Sequence, residues 1–422
     1  MYYYSLITND FSVIWISVVW YDFIVNDYID GYFLGGVIME KQKQIDILAK
    51  LISIKSVNDN ESEVADYIES LFAPYQDQGV QIDRVQYAPG RDNLVVTIGS
   101  GDQILGFSGH EDVVSAGDES DWQTDPFQAT IKDGNLYGRG ASDMKSGLAA
   151  LIISMLEMLE DNSVPGKIRL LCTVGEETGE YGAAQLTKEG YADGLAGLII
   201  AEPGNDMTEI GYTSKWVIDY IVTSVGKQAH SSQPEKGINA IDHLIDFATQ
   251  VKPLMAQFDQ ENPILGKLTH VQSVFQGGSQ INSVPDKAII KGNIRTIPEY
   301  PNKVVFAALN DLVEKLNQKD GYDLSIRYSF PEEAMPGDKN APLIKLMEKV
   351  HGEIFKDRPV KAIGQSGASD GSEFLHGKGD FAIAEIGPGN NTQHQTDEFV
   401  NVETFYKSIE FYKQVAKEFF AK

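Results

Sequence analysis

Three short apolar runs in this chain end in the same way. Gln103-Ile104-Leu105-Gly106-Phe107-Ser108-Gly109 runs into His110, Ile168-Arg169-Leu170-Leu171-Cys172-Thr173-Val174 into Gly175-Glu176-Glu177, and Gly197-Leu198-Ile199-Ile200-Ala201 into Glu202. Between them lie helical patterns, a long apolar one from about Gly147 to Leu159 and a shorter one from Gly182 to Lys188. Strands of this length alternating with helices pack as an α/β sheet, whose functional groups gather just past the strand ends. The polar residues that stop these runs are therefore expected along one edge of one sheet.

They belong to a larger set beside glycine-rich turns: His110-Glu111-Asp112, Asp143, Glu176-Glu177, Glu202 and His394. Carboxylates and imidazoles suit zinc and its neighbours, and two metals sharing a carboxylate can activate a water and polarise a carbonyl together. The set reads as the ligands of two metal ions in a hydrolase. Taken singly, each residue has an ordinary explanation: Asp143 could cap the helix after it, Glu176-Glu177 could be an acidic first helical turn, and His394 a surface histidine. Their joint occurrence, in order, at the strand ends of one sheet sets these explanations aside. Histidine and aspartate two apart at a strand end point the same way, so Asp112 is expected to accept a hydrogen bond from the far ring nitrogen of a metal-bound His110.

A chain of 422 residues exceeds what one hydrophobic core usually organises, so two domains are expected. Lys+Arg 35 against Asp+Glu 61 gives a formal charge of -26, which repels nucleic acid and anionic membrane surfaces and favours a small-molecule substrate. The only cysteine, Cys172, lies inside an apolar run, so no intrachain disulfide can form and a reducing, cytoplasmic compartment is expected.

Residues 1–38 differ from the remainder of the chain, with 11 of its 42 aromatics, four aspartates and no lysine or arginine. They lack the basic start of a signal peptide, and Phe11 to Tyr21 is only half a membrane span before Asp22 interrupts it. We expect a leader outside the fold, with Met39, at the start of an amphipathic helical pattern, as the candidate natural initiator. A second change of texture falls near Thr213. From there strand 216–223, helix 238–251, strands 268–276 and 287–296, helix 303–318 and strand 323–329 succeed one another in a β-α-β-β-α-β order. That order suits a ferredoxin-like unit, residues 214–330, inserted into a larger domain made of 39–213 and 331–422.

Several segments together carry a family resemblance: Gly109-His110-Glu111-Asp112-Val113-Val114, Leu136-Tyr137-Gly138-Arg139-Gly140-Ala141-Ser142-Asp143-Met144-Lys145, Gly175-Glu176-Glu177-Thr178-Gly179, Ala201-Glu202-Pro203, Ala229-His230-Ser231-Ser232 and Gly277-Gly278-Ser279-Gln280-Ile281-Asn282-Ser283. In this order the chain resembles the acetylornithine deacetylase and succinyl-diaminopimelate desuccinylase family of metallopeptidase-like enzymes, from about Met39 to the C-terminus. The resemblance implies a mixed sheet flanked by helices plus the inserted ferredoxin-like unit, and two divalent ions, zinc or cobalt. His110, Asp143 and Glu202 would hold one ion, and Asp143, Glu177 and His394 the other, with Asp143 bridging. Glu176 would be the general base.

It also implies a homodimer in which His230 reaches the partner's site to stabilise an oxyanion, and a cis peptide at Asp143-Met144. Asn282 and Arg295 would contact substrate, Arg295 as a planar fork for a carboxylate. The loop Gly364-Gln365-Ser366-Gly367-Ala368-Ser369-Asp370-Gly371-Ser372 would cradle a substrate carboxylate on its backbone, through Gly367 and Ser369. It is closer to the desuccinylase version than to the acetylornithine one. Ala368 stands where desuccinylases carry threonine, and Lys215 where they carry arginine, so Lys215 would serve as a point charge. The implied reaction is hydrolysis of an N-acyl amino acid, with succinyl-diaminopimelate as the leading substrate. A deacetylase or a dipeptidase of the same superfamily is the alternative.

Overall fold

The three apolar runs that end at His110, Gly175 and Glu202 lie side by side. The computed structural model describes residues 38–329, 335–365 and 367–421. The expected leader lies outside the described residues apart from Ile38, as do residues 330–334 at the expected domain boundary and Ser366 of the carboxylate loop. The larger sheet starts with β1 (Gln81–Ala88), β2 (Arg91–Ile98), β3 (Ile104–His110), β4 (Lys167–Thr173), β5 (Leu195–Ile200) and β6 (Glu209–Ser214). The chain then builds a second sheet from β7 (Trp216–Val225), β8 (Thr269–Gly277), β9 (Lys287–Thr296) and β10 (Leu324–Ser329). It returns to the first sheet with β11 (Lys361–Gln365) and β12 (Ile383–Glu385). The first sheet has eight strands in the order β1-β2-β4-β3-β5-β12-β6-β11.

Register brings the site together. β3 runs parallel to both β4 and β5, pairing His110 with Thr173 and Ser108 with Ile200. Glu202, two residues past Ile200, therefore comes level with His110, and the Gly175 turn lies just beyond Thr173. β1 and β2 run antiparallel, as do β2 and β4, so the sheet is mixed. Cys172 on β4 is fully buried.

Helices α1 (Lys41–Ser53), α2 (Ser62–Phe72), α3 (Lys145–Glu160), α4 (Glu176–Gly179) and α5 (Tyr181–Lys188) belong to this part, and α8 (Pro342–Ile354) and α9 (Val402–Phe420) complete it. Every residue of α3 from Lys145 to Leu159 is buried. A helix apolar nearly all round has no face to offer water, so it packs between the sheet and its helical neighbours α1 and α9. Its one acid in that stretch, Glu157, accepts from the Met39 amide at 2.9 Å, Gln44 at 3.0 Å and Lys413 Nζ at 2.7 Å, tying α1, α3 and α9 together.

The second sheet has the order β8-β9-β7-β10, and α6 (Ala240–Met255) and α7 (Asn302–Asn317) cover one face of it. Its elements succeed one another as β-α-β-β-α-β, the order expected from the sequence, and its strands pair antiparallel. Ile218, Tyr220, Val222, Ile290 and Ile294 pack with Phe247 and Leu309 in a core separate from the larger one. The period of two in a strand sends Val217 and Asp219, with Asn293 and Arg295 opposite them, to the other face. Among the described residues no helix is long and apolar enough to cross a membrane.

Gly147 locates α3 against the site. A Cβ there would lie 2.1 Å from the carbonyl oxygen of Ala201, the residue before Glu202. Gly147→Ala should therefore push the helix from the strand end, lowering stability by about 1–3 kcal/mol as overpacking of a close-packed core does. Chemical denaturation of the two proteins checks this; an unchanged midpoint would mean that the contact does not set the spacing.

Candidate metal centre

Two histidines from opposite ends of the chain meet across one carboxylate. Asp143 presents Oδ1 to His110 Nε2 at 3.2 Å and Oδ2 to His394 Nε2 at 3.3 Å. On one side Glu202 Oε1 lies 3.8 Å from His110 Nε2, and on the other Glu177 Oε2 lies 3.0 Å from His394 Nε2. The five expected ligands thus form two sets that share Asp143. Two atoms bound tetrahedrally to one ion at about 2.0–2.1 Å stand roughly 3.3 Å apart, comparable with these spacings of 3.0–3.8 Å, and ligand atoms of His110, Asp143 and Glu177 all lie within 4.8 Å of one another, a group that could hold a metal. Oε1 of Glu202 is buried and has no hydrogen-bond partner among the described residues, as befits an atom aimed at a cation. One set is deep, since His110 is fully buried; the other opens to solvent, since His394 is half exposed.

Electrostatics point the same way. Burial together with the charges of Glu202, Asp370 and Glu177 raises Glu176 well above the ordinary carboxylate range, and burial beside Asp143 does the same to Glu202. Burial would raise Asp143 too, yet its two imidazole partners hold it well below. Hydrogen bonds to Asp143 and Glu177 push His394 up to about 10. Without ions, the cluster gathers protons to offset its charge; bound cations would displace them.

Local structure sets each ligand. Gly175, in the left-handed region at φ 71, turns β4 into α4. His394 itself has φ 61, a strained value for a side-chain-bearing residue and one that recurs at functional sites. Its loop is held by Asp397, which accepts from the backbone and side-chain nitrogens of Gln123, each at 2.8 Å. The Asp143-Met144 peptide is cis, as the resemblance implied.

The expected role of Asp112 needs correction. The far ring nitrogen of His110 bonds to the backbone oxygen of Asp112 at 2.9 Å, while the carboxylate is 3.7 Å away. That carboxylate instead accepts from the amides of Glu176 and Glu177 at 3.2 and 3.3 Å, where a helix start leaves N–H groups without partners. Asp112 thus holds the turn that presents Glu176. Lys215 also departs from expectation: it does not line the cavity, and its Nζ donates to the Lys267 carbonyl at 2.7 Å. Gly367 and Ser369 do line it, but the Ser369 hydroxyl donates to the buried Glu385. His230 and Asn282 come together away from the cavity: His230 pairs with Ser283 in a short ribbon, and the Ser231 amide donates to the Asn282 carbonyl at 3.0 Å. Arg295 lies on the cavity wall.

The cavity, about 800 Å³, opens between the two sheets, with Asp143, Glu177 and Glu202 on one wall and Val217, Asp219 and Arg295 on the other. Residues 106–418 match peptidase family M20/M25/M40. The chain belongs to this family. It is 37% identical over 416 residues to a probable succinyl-diaminopimelate desuccinylase of Staphylococcus epidermidis, covering 91% of this chain and 100% of that one. Among solved structures it superposes on a tripeptidase of Staphylococcus aureus with a TM-score of 0.74 at 22% identity, covering 91% of this chain and 100% of that one. It also superposes on a dinuclear metal-binding peptidase of the M20 family from Bacillus subtilis, with a TM-score of 0.65 at 14% identity and 90% and 98% coverage. At these identities the structural likenesses establish the fold.

This M20-family centre rests on two further residues that sequence reading missed. Glu398 is fully buried and accepts from Arg139 and from the amides of Gly140, Ser142 and Asp143, the last two at 2.8 Å each. One carboxylate therefore joins the loop of Asp143 to the segment that bears His394. Lys145, also fully buried, donates to the Leu51 and Ile54 carbonyls at 2.9 and 2.8 Å, satisfying the end of α1; burial pushes its ammonium down to about 7. A signal for Glu398 was available in Gly138-Arg139-Gly140, because an arginine buried in a tight turn requires an anion. Glu398→Gln puts an amide NH₂ where backbone donors converge, so metal affinity should fall about 10- to 100-fold. Titration of the metal-free protein against a competing chelator measures it; unaltered affinity would show that the loop holds its shape without the charge.

Proposed function

We propose that this chain hydrolyses the amide bond of an N-acyl amino acid with two bound divalent ions, zinc or cobalt, and that its substrate is N-succinyl-diaminopimelate, yielding succinate and diaminopimelate. The observation that carries this reading is Asp143 set between two histidines, each with its own glutamate. The near full-length likeness to a probable desuccinylase supports the choice of acyl group.

His110, Asp143 and Glu202 would hold one ion, and Asp143, Glu177 and His394 the other. Bound there, the metals would polarise the amide carbonyl and lower the pKa of a water. Glu176, whose carboxylate lines the cavity and binds no ion, takes the proton from the attacking water and delivers it to the leaving amine. Asp112 keeps Glu176 in place through its backbone. Arg295 holds a substrate carboxylate, and the backbone at Gly367 and Ser369 borders the same pocket.

His230 serves the site of a second copy in a homodimer. Its Nδ1 lies 2.8 Å from the Ser232 hydroxyl and 3.2 Å from the Ser232 amide, so the ring is oriented from that side and Nε2 is the nitrogen available to an oxyanion. Support for the dimer comes from β8, an edge strand of the second sheet with exposed Val271 and Phe275. In this reading residues 39–213 and 331–422 form the catalytic domain, 214–330 form the dimerisation domain, and the enzyme works in the cytoplasm.

Hydrolysis assays with N-succinyl-diaminopimelate, N-acetylornithine and dipeptides, with added zinc or cobalt, test the substrate; turnover of dipeptides alone would move the reading to a peptidase. In the same assay Glu176→Ala should lose at least about 1000-fold in kcat while keeping its metal, whereas Glu177→Ala should lose metal. Mixing inactive His230→Ala with inactive Glu176→Ala subunits should restore activity, because a mixed dimer has one site with Glu176 and a partner-supplied His230. Verified mixed dimers without activity would place His230 outside a shared site.

A further inference from the structure

Asp219 and Arg295 stand on neighbouring strands of the second sheet, on its cavity-facing side. Arg295 pairs with Val217 and Asn293 with Asp219, so the two charged residues are diagonal neighbours. Diagonal side chains in a sheet have Cβ atoms roughly 7 Å apart, within reach of one another when they are long. Arg295 forms no ion pair with any described residue, although Asp219 is beside it. Asp219 has one oxygen bonded to Asn293 Nδ2 at 2.7 Å, which fixes the carboxylate while leaving the other oxygen open. Arg295 is also the only lysine or arginine among the described residues lining the cavity, since Lys215 is turned to a backbone carbonyl. Two opposite charges on one wall, not paired with each other, fit a ligand that carries both signs on one carbon.

We propose that Asp219 and Arg295 together receive a free α-amino-acid terminus of the substrate, Arg295 taking its carboxylate and Asp219 its ammonium. This rests on the substrate reading above and refines it. In N-succinyl-diaminopimelate the acylated carbon bears a carboxylate and an uncharged amide nitrogen, while the distal carbon bears both a carboxylate and an ammonium. Only the distal end offers the pair of charges that this wall matches. Asp219 is thus a specificity-determining residue: it rejects acyl amino acids that lack a distal ammonium, because its carboxylate would then face the cavity unpaired.

The test compares N-succinyl-diaminopimelate with N-succinyl-2-aminopimelate, which lacks only the distal ammonium. Wild-type enzyme should prefer the first by about 10- to 100-fold in kcat/KM. Asp219→Asn should lose that factor on the first substrate, chiefly through KM, and change little on the second, so the preference collapses. Asp219→Ser gives the same comparison should the asparagine variant fold poorly. Equal losses on both substrates, or no loss on either, would overturn the assignment. If wild-type enzyme cleaves neither succinyl compound but cleaves N-acetyl amino acids, the substrate reading fails separately. N-acetylornithine against N-acetylnorvaline then puts the same question to Asp219, with selectivity lost in the variant as support and equal loss as refutation.

Discussion

Four carboxylates, Asp143, Glu176, Glu177 and Glu202, converge at the ends of three strands and line one cavity. Like charges so close are tolerated only where positive charge is interleaved, and the interleaving is visible in the alternation of histidine and carboxylate around Asp143. The rest of the larger unit serves that constraint. Parallel strands in fixed register bring the ends level, a fully buried helix closes against Glu202 through a glycine, and Glu398 and Asp112 hold the loops from behind through backbone amides. A ring of acceptors aimed at main-chain donors orients the ligands without adding mobile side chains to the site.

Much of this was legible in the residues. The runs ending at His110, Gly175 and Glu202 are strands because they are apolar and bounded by glycine turns, and the second sheet announced itself by the strand-like run from Trp216 to Thr223, whose polar residues Asp219 and Thr223 fall on one face. What stayed hidden has physical reasons. β1 is largely exposed and polar, so Gln81–Ala88 has no apolar period to read; β12 is three residues long and takes its identity from its neighbours. The partner of Asp112 could not be deduced, because a carboxylate near a strand end can satisfy either a ring nitrogen or a helix start, and only the folded turn decides. Glu398 binds amides more than 250 residues away in sequence, a distance no local pattern spans. Lys215 looked like a substrate contact by position alone, and β7 beginning one residue later turned its ammonium to Lys267.

The two walls of the cavity answer to different rules. The wall that carries Asp143, Glu177 and Glu202 is built at strand ends of the larger sheet, where the parallel register brings the ends level. The opposite wall is the open face of a small antiparallel sheet, whose residues can change without disturbing its core, because that core faces α6 and α7. The two walls thus rest on separate hydrophobic cores.

Cys172 has a practical consequence. It is the sole sulfhydryl in 422 residues, it is wholly enclosed in β4, and burial raises it well above the ordinary thiol range, so it stays protonated and out of reach of alkylating reagents while the chain is folded. Maleimides should therefore leave Cys172 of the native protein unlabelled. A cysteine introduced at an exposed position such as Ile131 would be its one reactive sulfur, so a fluorophore or spin label can be placed there without first making a cysteine-free background.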